Sequence, residues 1–378
     1  VTDKKRILIL TADAGFGHRS AANATALALT ERHGADVECL IVNPVLERQA
    51  PNILRSTMLN YDKTVRNTST FYRLTYKISD FTLTSRILEA AMFTLQARLL
   101  HDLIIEVKPD AVICTYHLFN SAAVAAIRQC PGNPPFFIIT TDLARIHKLW
   151  FRPIPTLLFA SSDQVMQEAL ENGIPQERVI LSGIPVKAAL ADRSKGKSEI
   201  RKELGWNPNL KTILIVGSRR VENILPCLQA MDNCKYPVQF VVVAGGDNEL
   251  DQKLHEVSFQ TPVILYNYVD NLAQMMLAAD ILFSKAGGLI ISEGLAAGLP
   301  MILIGALPGQ ESGNLDYVCS RGAAVTAHFM DEIRSIVNEW LVTRPEAYEY
   351  TAEKSRSLGK PDAAYTIAET VWKTLKTL

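Results

Sequence analysis

The stretch FSKAGGLIISEGLAAGLP, residues 283–300, ends an apolar run, turns on two glycines and begins a helix-like pattern. Gly287 and Gly288 would leave backbone N–H groups uncovered at the positive end of that helix, a setting that suits a phosphate or diphosphate. Glu293 follows one turn later, near enough to accept hydrogen bonds from a ribose. A Gly-Gly pair after a strand also serves as a plain tight turn, so the ligand reading leans on what comes next. The run PMILIGA leads directly into LPGQESGN, residues 307–314, which sets Gln310, Glu311 and Asn314 at the carboxyl end of a neighbouring strand. Open α/β sheets bind their ligands at that end of their strands.

The elements that must position these groups are short and regular. RILILTA, DVECLIVNP, DAVICTY, PFFIITTDL, TLLFASS and RVILSGIPV read as strands in the first half, and KTILIVGS, QFVVVAGG, VILYNYV, DILFSKA, PMILIGA and AAVTA in the second. They are almost wholly apolar, as parallel strands covered on both faces are. Helix-like segments such as SAANATALALTERHG and NLAQMMLAA alternate with them. Right-handed βαβ connections then give two doubly wound, Rossmann-like sheets. The charged stretch PVKAALADRSKGKSEIRKELGWNPNLK marks the seam, so the expected domains are 1–186 and 187–378. The last segment, DAAYTIAETVWKTLKTL, is an amphipathic helix assigned with the second domain, although its apolar face would suit either.

Bulk properties narrow the function. A chain of 378 residues exceeds what one growing core accommodates, and 48% hydrophobic residues supply two. A formal net charge of zero excludes a general nucleic-acid binder, which needs a basic excess to neutralise phosphates. The six cysteines are scattered without a CxxC pair, as in buried thiols of a reducing compartment. VTDKKRILILTAD reads as a first strand rather than a signal peptide, and no run is long enough to span a bilayer. The expectation is a chain that neither spans a membrane nor is exported.

Residues 47–101 break the alternation. Eight Lys or Arg (Arg48, Arg55, Lys63, Arg66, Arg73, Lys77, Arg86, Arg98) face four acids there, with six aromatic residues interleaved. Cations beside rings suit an anionic membrane surface. A helical insertion with a solvated basic face fits the same composition.

KAGGLIISEGLAAGLPMIL followed by PGQESGN resembles the donor-binding half of glycosyltransferase family 28. DAGFGHRSAA, residues 13–22, resembles that family's amino-terminal glycine–histidine loop, and TDLARIHKLWF, residues 141–151, resembles a stretch of its monogalactosyldiacylglycerol synthase branch. The resemblance implies two Rossmann-like domains facing a cleft (the GT-B architecture), the first for the acceptor and the second for a UDP-sugar. It implies inverting transfer of galactose or glucose to diacylglycerol, at the cytosolic face of a membrane and without a catalytic metal or other cofactor. On this reading Gly287 and Gly288 hold the diphosphate, Glu293 the ribose, Gln310 and Glu311 the sugar hydroxyls, and Tyr268 and Val269 border the uracil. His18 takes the acceptor proton, since an ordinary imidazole is mostly neutral near pH 7; a histidine capping the helix start is the plainer reading. Gly17, Asp142, His147 and Trp150 fall on the acceptor side, with Asp142 a rival base and Phe151 beside Trp150.

Two departures from the family pattern stand out. Where a glycine-rich loop is usual, VGSRRVEN keeps Gly217 and Ser218 and then places Arg219 and Arg220, whose guanidinium forks can hold a diphosphate. Ile290 stands where a phosphate-binding threonine is common. Two other readings therefore stay open: a UDP-sugar 2-epimerase or hydrolase of the same fold, and a nucleotide-sugar sensor without catalysis.

Overall fold

The computed structural model of the chain describes residues 4–13, 16–48, 50, 55, 82–218, 223–232, 236–306 and 311–377. Each of the twelve strand-like runs is a strand, and together they form two six-stranded parallel sheets. The chain divides into two units, one of Val1–Ala188, Pro308–Gly313 and Asp362–Leu378, the other of Ala189–Leu307 and Asn314–Pro361.

The first sheet holds β1 (Lys5–Leu10), β2 (Val37–Val42), β3 (Ala111–Cys114), β4 (Phe136–Ile139), β5 (Leu157–Ala160) and β6 (Val179–Leu181), in the order β2-β1-β3-β4-β5-β6. Alternation of side chains along each strand splits its core in two. Leu8, Leu10, Val112, Cys114, Ile138 and Leu158 pack on the helices Thr82–Val107, Asn120–Ile127 and Asp163–Glu171. Ile7, Ile9, Ala111, Ile113, Phe137 and Phe159 pack on Phe16–His33 and Ala363–Thr377.

This corrects the expectation for the last helix. Ala364, Ile367, Ala368, Val371 and Trp372 belong to the first core, not the second. His33 stacks on Trp372 with ring centroids 4.4 Å apart, and the Tyr365 hydroxyl donates to Glu31 at 2.7 Å. The apolar stripe of the helix completes a face of the first sheet that, among the described residues, is otherwise covered by Phe16–His33.

Most of 47–81 lies outside the described residues. The insertion's later part forms the start of the helix Thr82–Val107, which buries Leu100, Leu103 and Ile104 while Ile87 is 63% exposed. Among the described residues no helix is long and apolar enough to cross a membrane.

The second sheet holds β7 (Lys211–Val216), β8 (Val238–Val243), β9 (Val263–Tyr266), β10 (Ile281–Ser284), β11 (Met301–Leu303) and β12 (Ala324–Thr326), ordered β12-β11-β10-β7-β8-β9. Ile213, Ile215, Phe240, Val242, Ile281, Phe283 and Ile302 form its main core. Gly294 lets the helix Gly288–Ala297 lie close on the sheet, since a Cβ there would come within 2.8 Å of Leu282 and 2.9 Å of Met301. Asp280, buried before β10, pairs with Arg201, Lys197 and Lys211 and accepts from the Thr212 N–H. Burial raises its carboxyl pKa, but those cations and that N–H outweigh burial and hold it below the usual carboxylate value.

Candidate active site at the carboxyl ends of the strands

In the first sheet the strand order reverses between β1 and β3, and His18 lies where the chain leaves β1 for its helix. Its ring is 6% exposed. Nδ1 lies 2.8 Å from the Thr115 carbonyl and 3.0 Å from the Thr141 hydroxyl. A carbonyl oxygen can only accept, so the neutral ring carries its hydrogen on Nδ1 and its lone pair on Nε2. The hydroxyl of Thr115 in turn lies 2.9 Å from that of Thr11. Thr11, Thr115 and Thr141 follow β1, β3 and β4 closely, so three strand ends fix one imidazole. His18 is therefore tied to the sheet through Nδ1, which the helix-capping reading did not foresee.

The loop carrying His18 is braced from its other side. Arg19 donates to both oxygens of Asp13, at 2.9 and 3.1 Å, and to Glu47 at 2.9 Å, while Asn43 donates to Asp13 at 2.8 Å. The Arg19 contact is the main cause of a lowered Asp13 pKa. Gly17 is half-buried at the helix start.

Residues 141–151 form an ordered loop after β4. Glu168 accepts from the backbone N–H of Arg145 and Ile146, at 2.7 and 3.1 Å. Ser161 and Ser162 donate to the carbonyls of Asp142 and Leu143. The Nδ1 of His147 accepts from the Leu149 N–H at 3.2 Å and so caps the turn Lys148–Phe151, which gives this acceptor-side candidate a structural task. Asp142 is half-buried. Trp150 is buried in the first core at 2% exposure, with its ring 6.3 Å from that of His18.

Three neighbours of His18 escaped the sequence reading, Thr115, Tyr116 and His117, and Thr141 entered it only as the first residue of TDLARIHKLWF. Tyr116 meets His18 edge-on at 5.0 Å. His117 lies 5.4 Å from His147 and 5.2 Å from Trp150, ring to ring. Burial, then the neighbouring His147 and His18 rings, push its pKa well below the ordinary histidine value. Asn120, fully buried, donates to the Leu149 carbonyl at 3.3 Å and leaves Oδ1 without a partner among the described residues. The signal was available in TYHLFN, a polar-aromatic cluster straight after an apolar strand.

In the second sheet the order reverses between β7 and β10, and Gly217, Ser218, Gly287, Gly288 and Glu293 follow those two strands. Gly287 is the N-cap of Gly288–Ala297 and offers no side-chain cap. Gly288 and Glu293 are buried on that helix, and Ile290 is half-buried. The Ser284 hydroxyl donates to the Val216 carbonyl at 3.0 Å and ties β10 to the end of β7. Packing is tight at Gly217, where a Cβ would come within 3.3 Å of the Val243 carbonyl, and a Cβ on Gly245 would overlap the carbonyl of Gly217. Ser218 is half-buried. Tyr268 is 63% exposed beside the half-buried Val269, and Glu311 is buried. Asn314, fully buried, donates to the Ala286 carbonyl at 3.3 Å and so steadies the glycine turn. Arg219, Arg220 and Gln310 lie outside the described residues.

Comparison with known proteins adds to this geometry. Residues 18–186 match the family described as monogalactosyldiacylglycerol (MGDG) synthase, and residues 212–324 match the glycosyltransferase family 28 C-terminal domain. Monogalactosyldiacylglycerol synthase 1, chloroplastic, of Arabidopsis thaliana is 26% identical over 373 residues, which cover 96% of this chain and 70% of that protein. Its synthase 2 is 28% identical over 377 residues, covering 97% and 80%. Among solved structures, the MnaA–UDP complex of S. aureus superposes with a TM-score of 0.63 at 16% identity, covering 99% of this chain and 98% of that one. MurG of Acinetobacter baumannii gives 0.61 at 14%, covering 98% and 100%. At such identities the solved structures speak to fold alone, and that fold is two Rossmann-like domains.

Proposed function

Because the chain belongs to the glycosyltransferases that join a monogalactosyldiacylglycerol synthase domain to a family 28 C-terminal domain, we infer that it moves a hexose from a UDP-sugar to diacylglycerol, with inversion. The observation that carries this reading is His18, held through Nδ1 by a backbone carbonyl with Nε2 left as the lone-pair nitrogen. In the reaction the glycerol hydroxyl oxygen attacks the anomeric carbon, and the bond from that carbon to the UDP oxygen breaks. Nε2 accepts the hydroxyl proton as the new bond forms. Negative charge builds on the departing diphosphate, where the uncapped helix start at Gly287 and Gly288 offers N–H groups. Arg219 and Arg220 would add cationic forks. Transfer in this scheme needs no metal, so turnover should survive a chelator.

The basic and aromatic residues of 47–101 would hold the enzyme to an anionic membrane surface, where each exposed cation contributes about 1 kcal/mol. The face expected is the cytosolic one, where nucleotide sugars are at hand.

Incubation with diacylglycerol vesicles and either UDP-galactose or UDP-glucose, followed by thin-layer separation of the lipids, tests the reading. A glycolipid formed from one donor is expected. UDP released or sugar epimerised without any lipid product would replace this reading with an epimerase or hydrolase, and UDP binding without turnover would leave a sensor.

A further inference from the structure

His117 is an imidazole near His18 for which the reaction above has no use. It opens the short turn His117–Phe119 that follows β3. Its ring lies 5.3 Å from Tyr116 and 5.2 Å from Trp150, the two rings that also flank His18. Nδ1 is sealed from solvent and has no hydrogen-bond partner among the described residues. A buried N–H without an acceptor is rarer in folded proteins than an under-used acceptor, so the neutral ring keeps its hydrogen on Nε2. The residue as a whole is half-buried, and Nε2, unlike Nδ1, is not among the sealed atoms, so it is the nitrogen that a ligand could reach.

We propose that His117 forms an ester-carbonyl subsite for the lipid acceptor, donating from Nε2 to the acyl ester nearest the reacting hydroxyl. The proposal rests on the diacylglycerol reading. In that lipid an ester oxygen sits on the carbon beside the one bearing the free hydroxyl, so a group that holds the hydroxyl at His18 brings an ester carbonyl close by. A carbonyl can only accept, so it needs a donor. His117 supplies one without adding charge, because burial and the adjacent His147 and His18 rings keep it neutral. A lysine or arginine in its place would favour anionic headgroups over a neutral glycerolipid.

Acceptors that differ only at the ester test this directly. Wild-type enzyme, His117→Phe and His117→Asn are assayed with diacylglycerol and with a dialkylglycerol ether of equal chain length, and UDP binding is measured by calorimetry. One neutral hydrogen bond predicts that wild type favours the ester in kcat/KM by about tenfold. His117→Phe should use both lipids about equally, and His117→Asn, whose amide can donate, should recover part of the preference. UDP affinity should stay unchanged in both variants, and their turnover of the ether lipid shows that the first domain folds. A wild type without the preference, or a His117→Phe variant that keeps it, overturns the subsite. A wild type that glycosylates neither lipid overturns the acceptor reading itself.

Discussion

At the carboxyl edge of the first sheet, His18 is 6% exposed and fixed by groups that follow β3 and β4. At the corresponding edge of the second, Gly287 begins a helix with no side chain at its cap, and Tyr268 stands 63% exposed. The first edge is a network of side chains packed on one another; the second offers backbone N–H groups and one exposed ring. On the proposed function the difference matches what each would handle. A proton acceptor works from one atom, whose tautomer and direction have to be set in advance. A diphosphate spreads its charge over several oxygens, and a helix start supplies several donors with no tautomer to set.

The contrast breaks first at His18. His18→Ala should lower kcat by about 10²–10⁴-fold, the usual contribution of a positioned base, while UDP affinity by calorimetry stays at the wild-type value. A parallel loss of UDP binding would mean that the two edges do not divide the labour in this way.

Glu293→Gln sharpens the other side. A carboxylate accepting from ribose hydroxyls becomes a neutral amide, and hydrogen bonds to charged groups contribute about 1.5–3 kcal/mol. The UDP dissociation constant should rise by about ten- to a hundredfold with little change in the lipid KM. An unchanged constant would remove Glu293 from the donor site.

Thr141→Val takes one of the two partners from the His18 Nδ1 face, and one neutral hydrogen bond is worth about 1 kcal/mol. A fall of about fivefold in kcat is expected, restored by Thr141→Ser. Loss in both variants alike would point to packing of the threonine methyl rather than to the hydroxyl.

The smallest effect is on stability against pH. The folded pKa of His117 is lowered by burial, so below about pH 6.5 the unfolded chain takes up a proton that the folded chain refuses. Stability is thus lost as pH falls through the unfolded value. Burial lowers the His33 pKa as well, which adds to the same slope. Thermal melts between pH 7.5 and 5.5 should fall less steeply for His117→Phe than for wild type, with a residual slope from His33. Identical slopes would show that His117 titrates normally in the folded protein.

Much of this molecule was legible in its sequence, and the reason lies in local chemistry. A parallel strand buried on both faces must be apolar throughout, so RILIL and FVVV announce themselves without knowledge of their neighbours. A glycine turn between strand and helix is equally local, which is why Gly287, Gly288 and the helix bearing Glu293 stand where expected. The place of the last helix was not legible. Its stripe of Ala364, Ile367, Ala368 and Val371 says that it must cover a sheet, but not which of two. Nor could the sequence show the partners of His18, because Thr115 and Thr141 lie 97 and 123 residues away along the chain. Only the pairing of β1 with β3 and of β3 with β4 brings them to one imidazole. The sequence by itself determined which residues could take a proton or meet a phosphate. The tertiary structure decided which nitrogen of His18 carries the lone pair, since that depends on a carbonyl that follows a different strand.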